Sequence, residues 1–238
     1  MKILAVECSA TPCSAAVFED GVLKCSDFVN VGLTHSQILM PMAEKTAQKA
    51  GVSLADIDGF AVSSGPGSFT GIRIGISTVK GLAAPLKKPC VAVSTLLAMA
   101  YNYIDSNCTV CAVMDARRSQ VYNAVFDIKG GKVTRMCEDR AVLCEELSEN
   151  IKKLSQKAEK DIIIVGDGAE VFYPFVKNLR NVIIAAEDRR FQNAVSVGKA
   201  AAESFSNGNT LPPEDILPVY LRLPQAEREL KLKKESIK

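Results

Sequence analysis

Apolar and polar positions along this chain follow two periods, and the elements they predict alternate. Residues 2–6, 14–19, 22–28, 60–63 and 89–93 form short apolar or alternating runs bounded by turn residues, and read as strands. The second and third of these flank Glu19-Asp20-Gly21 and make a hairpin. Between the strands the period lengthens. Thr34-His35-Ser36-Gln37 has the form of a capping box, and a helix is expected from there to about Ala50, ended by Gly51. Its apolar face is Ile38, Leu39, Met42, Ala43, Thr46, Ala47 and Ala50. Pro41 lies inside and should bend it, because the bond to the Gln37 carbonyl is lost. Residues 63–84, SSGPGSFTGIRIGISTVKGLAA, form a glycine loop and then a helix capped by Ser68 or Thr70. Ile72, Ile76, Val79 and Ala83 give that helix a core-facing stripe. Gly71, Gly75, Ser77, Thr78, Gly81 and Ala84 leave the rest of it small. A glycine inside a helix costs about 1 kcal/mol against alanine. Three of them imply a second backbone at close range, or room for a ligand. A helix over 95–103 follows the strand at 89–93.

The pattern then restarts. Leu4-Ala5-Val6-Glu7 ends in an acid and is followed by Ala16-Val17-Phe18 and a turn; Ala112-Val113-Met114-Asp115 ends in an acid and is followed by Ala124-Val125-Phe126 and a turn at Lys129-Gly130-Gly131. Both pairs share an offset of 108 residues, which reads as duplication of a hairpin-led lobe. A helix at 145–157, a strand at 162–165, a helix around 169–177, a strand at 182–185 and a helix at 194–206 complete the second copy. Pro212-Pro213 marks a break, 216–223 is irregular, and the tail is a charged helix or disordered. The expected divisions are 1–103 for the first lobe, 104–211 for the second and 212–238 for a terminal segment. Two repeated α/β lobes suggest the actin, Hsp70 and sugar-kinase architecture, an α/β fold with a mixed sheet and flanking helices in each lobe. In that architecture nucleotide binds between the lobes, with the two leading hairpins at its phosphates.

Composition narrows the function. With 238 residues, 47% hydrophobic and 24% charged, the chain is an ordinary globular protein. No apolar run approaches the ~20 residues that span a bilayer, and the acidic start MKILAVECSA reads as a strand rather than a signal peptide. Eight cysteines in strand-like runs are expected to be free thiols in a reducing cytoplasm. Cys108 and Cys111 form a CxxC, but strand alternation points them to opposite faces. The net charge of +2 resides in residues 226–238, five Lys/Arg against three Glu, leaving the body balanced at 24 against 24. A dedicated nucleic-acid binder carries a marked basic excess, so strong RNA binding by this chain alone is not expected.

The candidate chemistry is thin. Phosphate loops need converging free N–H groups, and glycine permits that geometry. Neither hairpin loop, 7–13 or 115–119, contains glycine, and Pro12 removes a donor. Glu7, Ser9, Asp115, Arg117 and Gly166 are the candidates for a weak ATP or ADP cleft. Arg117 and Arg118 can neutralise a phosphate or form surface ion pairs. Gly166-Asp167-Gly168-Ala169 is either an adenosine loop or a plain strand-to-helix turn. The single histidine, His35, makes no metal site. GPGSF is not a nucleophile elbow, so a serine peptidase using His35 and Ser68 is the weakest reading. A free-standing ATP-dependent enzyme of the sugar-kinase type, with Glu7 or Asp115 at the phosphates, is the alternative.

Taken together, ILAVECSATPCSAAVFEDG, THSQILMPMAE, SSGPGSFTGIRIGISTVKGLA, MDARRSQVY and PVYLRLPQAE closely resemble the TsaB (YeaZ) family over residues 3 to about 227. The resemblance implies a non-catalytic paralogue of TsaD. TsaD transfers threonylcarbamoyl from its adenylate to adenosine 37 of tRNAs reading ANN codons. It also implies pairing with TsaD through the first two helices, here 34–50 and 69–84, with the ATPase TsaE joining. The chain alone would pair with itself, and tRNA would be met only through the complex. No cofactor and no metal are implied. The interface so implied is His35, Ile38, Leu39, Met42, Thr46, Gly71, Ile74, Gly75, Thr78 and Leu82. Met40 and Met42 suit two partners, and a leucine at Gly75 is expected to weaken pairing while sparing the fold. The HxxxH pair that TsaD carries after the following strand is missing from residues 93–98.

Overall fold

The computed structural model describes residues 1–32 and 34–222, so the charged tail at 226–238 lies outside the described residues. The first sheet has the order β3-β2-β1-β4-β5. It is built from β1 (Lys2–Glu7), β2 (Cys13–Glu19), β3 (Val22–Val29), β4 (Gly59–Gly65) and β5 (Cys90–Ser94). β1, β2 and β3 pair antiparallel, while β4 lies parallel to β1 and β5 parallel to β4. The second sheet repeats this as β8-β7-β6-β10-β11, with β9 also paired to β7. Its strands are β6 (Cys108–Asp115), β7 (Gln120–Lys129), β8 (Lys132–Arg135), β9 (Arg140–Leu143), β10 (Ile162–Val165) and β11 (Val182–Ile184). The duplication read from the sequence is therefore a duplication of topology. The two hairpins differ by one residue: Ala5 pairs with Ala16, but Val113, at the matching offset, pairs with Asn123 rather than Ala124.

The helices are α1 (His35–Lys49), α2 (Phe69–Leu86), α3 (Thr95–Ala100), α4 (Cys144–Lys157), α5 (Ala169–Phe172), α6 (Glu187–Arg190) and α7 (Ala194–Ser206). Strand alternation sorts side chains to two faces. Leu4 and Val6 of β1 join α1 and α2 in one core, while Ile3 and Ala5 join α7 in another. In β6, Cys108, Val110, Ala112 and Met114 meet α3, while Cys111 and Val113 meet α4 and α5. Cys108 and Cys111 thus stand in different cores, as alternation required.

Two expectations need correction, and the lobes exchange helices across the boundaries expected at 103 and 211. Leu96 and Met99 of α3 sit in the core of the second sheet, and Ala194, Val197, Ala201 and Phe205 of α7 sit on the first. Each helix has an apolar stripe that covers the open face of the neighbouring lobe's sheet. Thr34 is the N-cap of α1, but its hydroxyl accepts no helix N–H; the first turn is closed by Gln37 N–H donating to the Thr34 carbonyl at 2.9 Å. The helix expected over 169–177 stops at Phe172 and tightens into a 3₁₀ turn, Tyr173–Phe175, because Pro174 has no N–H to continue it. No described helix is long and apolar enough to cross a membrane.

Candidate functional site

The glycine loop and α2 place the chain's own backbone where a ligand was one alternative. Ser68 caps α2, its Oγ accepting from Gly71 N–H at 3.2 Å. A Cβ at Gly71 would stand 2.1 Å from the Cys8 carbonyl oxygen, and one at Gly75 would stand 3.0 Å from Cys8 Sγ. A Cβ at Gly65, whose φ is +122°, would stand 2.3 Å from the Val219 carbonyl oxygen. The second backbone these glycines admit is the β1–β2 loop on one side and the terminal segment on the other. Ser68 N–H donates to the Ser9 carbonyl at 2.7 Å, and Val219 N–H to the Ser64 carbonyl at 2.7 Å.

The ten predicted interface residues therefore divide. Gly71, Gly75, Leu39 and Thr46 are buried within the chain. Leu39 is in the core, and the Thr46 hydroxyl lies 2.8 Å from both Asp27 Oδ2 and the Met42 carbonyl oxygen, between which its single hydrogen is shared. A leucine at Gly75 would strike Cys8 and Val62 and disturb the fold, contrary to the expectation. His35 is half-buried at the cleft mouth, with Nε2 3.1 Å from the Thr11 carbonyl oxygen. The other five, Ile38, Met42, Ile74, Thr78 and Leu82, are half-buried on the outside of the helix pair. Ile38, Met42, Ile74 and Leu82 pack on the rim of the core beneath. Beside them Thr70, Ser77 and Gly81 are exposed, and a Cβ at Gly81 meets nothing within 4 Å. The outer stripe on α2 is thus Thr70, Ile74, Ser77, Thr78 and Gly81, mostly small and turned roughly a quarter of the way around the helix from the Gly71–Gly75 side. The sequence marked Gly81 as small but the expected interface left it out, because periodicity names a core face and does not say which of the remaining faces a loop will cover.

A cavity of about 480 Å³ lies between the lobes, lined by Ser9, Thr11, His35, Ser68, Asp115, Arg117, Tyr122 and Asp167 among others. Of the predicted nucleotide residues, Ser9, Asp115 and Arg117 line it. Glu7 is fully buried behind it, accepting from Ser63 Oγ and from Ser9 N–H. Burial holds its carboxyl above the usual range, opposed by those hydrogen bonds. Gly166, at φ +105°, packs against the Val113 carbonyl and is a strand-to-helix turn. Asp167, in the loop the sequence left as an adenosine loop or a turn, is half-buried in the cavity wall, accepts from Gln192 Nε2 at 2.7 Å, and has its pKa raised to about 6, first by burial and then by Asp115 and Glu7.

The cleft tests poorly as a polyphosphate site. Donors that would converge on an anion are already engaged: Ser9 N–H by Glu7, Arg117 N–H by Asp115 Oδ1 at 2.7 Å, and Ala116 N–H by the Gln120 carbonyl at 3.0 Å. The Arg117 guanidinium lies 3.5 Å from Asp115 Oδ2 with its side chain largely in solvent. The walls carry the carboxylates of Asp115 and Asp167 beside Arg117, with Gly32 and Gly67 also lining the cavity. Ser68 and His35, the pair a peptidase would use, are held as a helix cap and against the Thr11 carbonyl. Among the described residues no cluster of three or more His, Cys, Asp or Glu is arranged to hold a metal ion.

Comparison with known proteins adds the following. Residues 31–230 match the family model described as TsaD: tRNA N6-adenosine threonylcarbamoyltransferase. The chain is 32% identical over 224 residues to the tRNA threonylcarbamoyladenosine biosynthesis protein TsaB of Escherichia coli (strain K12), covering 93% of this chain and 95% of that protein. It is 25% identical to the protein of the same name in Bacillus subtilis (strain 168), over 95% of this chain and 96% of the other. Among solved structures, YeaZ from Pseudomonas aeruginosa superposes with a TM-score of 0.78 at 28% identity, covering 92% of this chain and 99% of that one. The ROK hexokinase from Thermus thermophilus, at 12% identity and TM-score 0.50, shares the fold alone.

Proposed function

The chain belongs to the TsaB family, and from that premise we propose that it is a non-catalytic scaffold subunit in the formation of threonylcarbamoyladenosine on tRNA. In this reading it pairs with a TsaD-type paralogue through the outer surface of α1 and α2. The paralogue transfers threonylcarbamoyl from threonylcarbamoyl-AMP to adenosine 37 of tRNAs reading ANN codons. A TsaE-type ATPase joins the pair, and tRNA is engaged only by the assembly. Without its partner the chain pairs with itself by the same surface, in the cytoplasm.

The observation that carries this reading is the contrast within one helix. The inner side of α2 is closed by the chain's own loops, while Thr70, Ser77 and Gly81 stay small and exposed, with Ile74 and Thr78 half-buried between them. A surface of that shape lets a second helix approach closely. A charge-balanced body and a cleft walled by carboxylates support a role without nucleotide chemistry of its own. The test is reconstitution. Purified chain added to a TsaD-type protein, a TsaE-type ATPase, tRNA and threonylcarbamoyl-AMP should raise transfer at least tenfold over the mixture without it. Equal transfer with and without the chain would overturn the proposal. The sugar-kinase alternative predicts micromolar ATP binding by the chain alone, abolished by Asp115→Ala.

A further inference from the structure

We infer that residues 211–222 form a strap through which the first turn of α2 and the lip of the interlobe cleft are mechanically coupled. The strap starts at the edge of the first sheet, where Leu211 and Cys90 exchange backbone hydrogen bonds at 2.8 Å each way. It crosses α2, where Lys80 Nζ donates to the Glu214 carbonyl at 2.8 Å and Ile216 is buried in the core under α1 and α2. Its last four described residues then touch three separate elements. Val219 N–H is bonded to the Ser64 carbonyl at the end of β4. The Tyr220 ring stacks on Phe69 at 4.5 Å between centroids, and its hydroxyl accepts from Arg73 Nε at 2.7 Å. Leu221 packs against the core of the second lobe, and Arg222 Nη1 donates to the Ala116 carbonyl.

A chain advances at most ~3.6 Å per residue, so no more than ~7 Å of backbone separates the Tyr220 and Arg222 anchors. A shift of α2's first turn away from the second lobe larger than that short link can absorb breaks one anchor or moves the other. The loop at the far end is susceptible to such a pull. Arg117, Arg118 and Ser119 all have positive φ, at 65°, 58° and 55°. Three successive non-glycine residues in the left-handed region are costly and persist only where neighbours hold them. The neighbours are few: Asp115 Oδ1 on Arg117 N–H, Gln120 and Ala116 closing the loop on itself, Cys144 N–H on the Ser119 carbonyl, and the strap through Arg222. Arg117 lines the cleft, so the strap links the geometry of that wall to the helix at which it is fastened. The inference concerns this chain alone and stands whether or not α1 and α2 receive a partner.

Residue-resolved amide exchange on the full chain tests it. Tyr220→Ala should speed exchange at least fivefold at Ala116 and Gln120, whose N–H groups close the lip loop, while α4 keeps its protection. Tyr220→Phe, which loses only the bond from Arg73, should move the same amides in the same direction by less. Coupling is reciprocal, so Arg222→Ala should speed exchange at Gly71 and Ile72 in the first turn of α2. If Tyr220→Ala exposes α4 as well, it has unfolded the chain, and the other two variants decide. Changes confined to 216–222 in both Tyr220→Phe and Arg222→Ala would overturn the inference.

Discussion

The outer surface of α1 and α2 and the cleft between the lobes were both marked by the sequence as places where function could reside, and they are opposite in physical character. On the helix surface the stripe Thr70, Ile74, Ser77, Thr78 and Gly81 carries no charge of its own, with Arg73 and Lys80 at its border and open space over Gly81. The cleft is lined by Asp115 and Asp167, and the N–H groups of Ser9, Ala116 and Arg117 are engaged by its own loops. The first costs little to desolvate and gains nothing until another surface covers it. The second holds buried carboxylates that oppose a polyphosphate.

The largest expected effect comes from the residue that separates the two regions. Gly71→Ala places a Cβ 2.1 Å from the Cys8 carbonyl oxygen, between α2 and the β1–β2 loop. Alanine would favour the helix by about 1 kcal/mol, but a clash with backbone cannot be relieved by turning a side chain. The net loss should be about 3 kcal/mol or more in urea unfolding. A variant as stable as the parent would show that the inner side of α2 is not closed as described, and would return Gly71 to the candidate contact surface.

The cleft should reveal itself through pH. A carboxyl whose pKa is higher folded than unfolded holds its proton more tightly in the folded chain. Asp167, raised from 3.8 to about 6, therefore costs stability at neutral pH. That cost is relieved as the pH falls through 6 towards 4, by up to about 3 kcal/mol. Glu7 shifts in the same direction. Asp27, held low by Lys49, acts only below the usual carboxylate range. Asp167→Asn should remove most of the rise, leaving a flatter profile of unfolding free energy between pH 4 and 7. An unchanged slope would mean that the cleft wall is not desolvated, and the contrast with the helix surface would weaken.

Much of this was legible in the residues. The strands, the duplication and the core stripe of α2 follow from periodicity, because burial on one face dictates it. The pairing of lobe and helix was not legible: α3 and α7 carry apolar stripes suited to either sheet, and only the assembled chain decides. The direction of the glycines was not legible either. Gly71, Gly75 and Gly81 are identical letters at similar spacing, yet two face Cys8 and one faces solvent, because the covering loop comes from 63 residues away in the case of Cys8 and Gly71. Asp167 was visible as a residue, but its raised pKa depends on burial in the assembled cleft and on two acids from other strands.

The smallest effect on the fold should accompany the sharpest effect on pairing. At Gly81 a side chain meets open space, and the backbone there is ordinary helix. Gly81→Leu should leave unfolding within about 0.5 kcal/mol of the parent once the ~1 kcal/mol helix preference against glycine is counted in its favour. If a partner helix packs over Thr70, Ile74, Ser77, Thr78 and Gly81, the added leucine must push it outward. Affinity for a TsaD-type protein, read by calorimetric titration, should then fall at least tenfold, or about 1.4 kcal/mol. The same substitution should shift the isolated chain towards monomer in sedimentation, since self-pairing uses the same surface in this reading. Gly71→Ala and Gly81→Leu together then separate two roles that look alike in sequence: one glycine admits the chain's own backbone, the other a neighbour's. Full affinity in Gly81→Leu would place the partner elsewhere and leave the small outer stripe without a purpose.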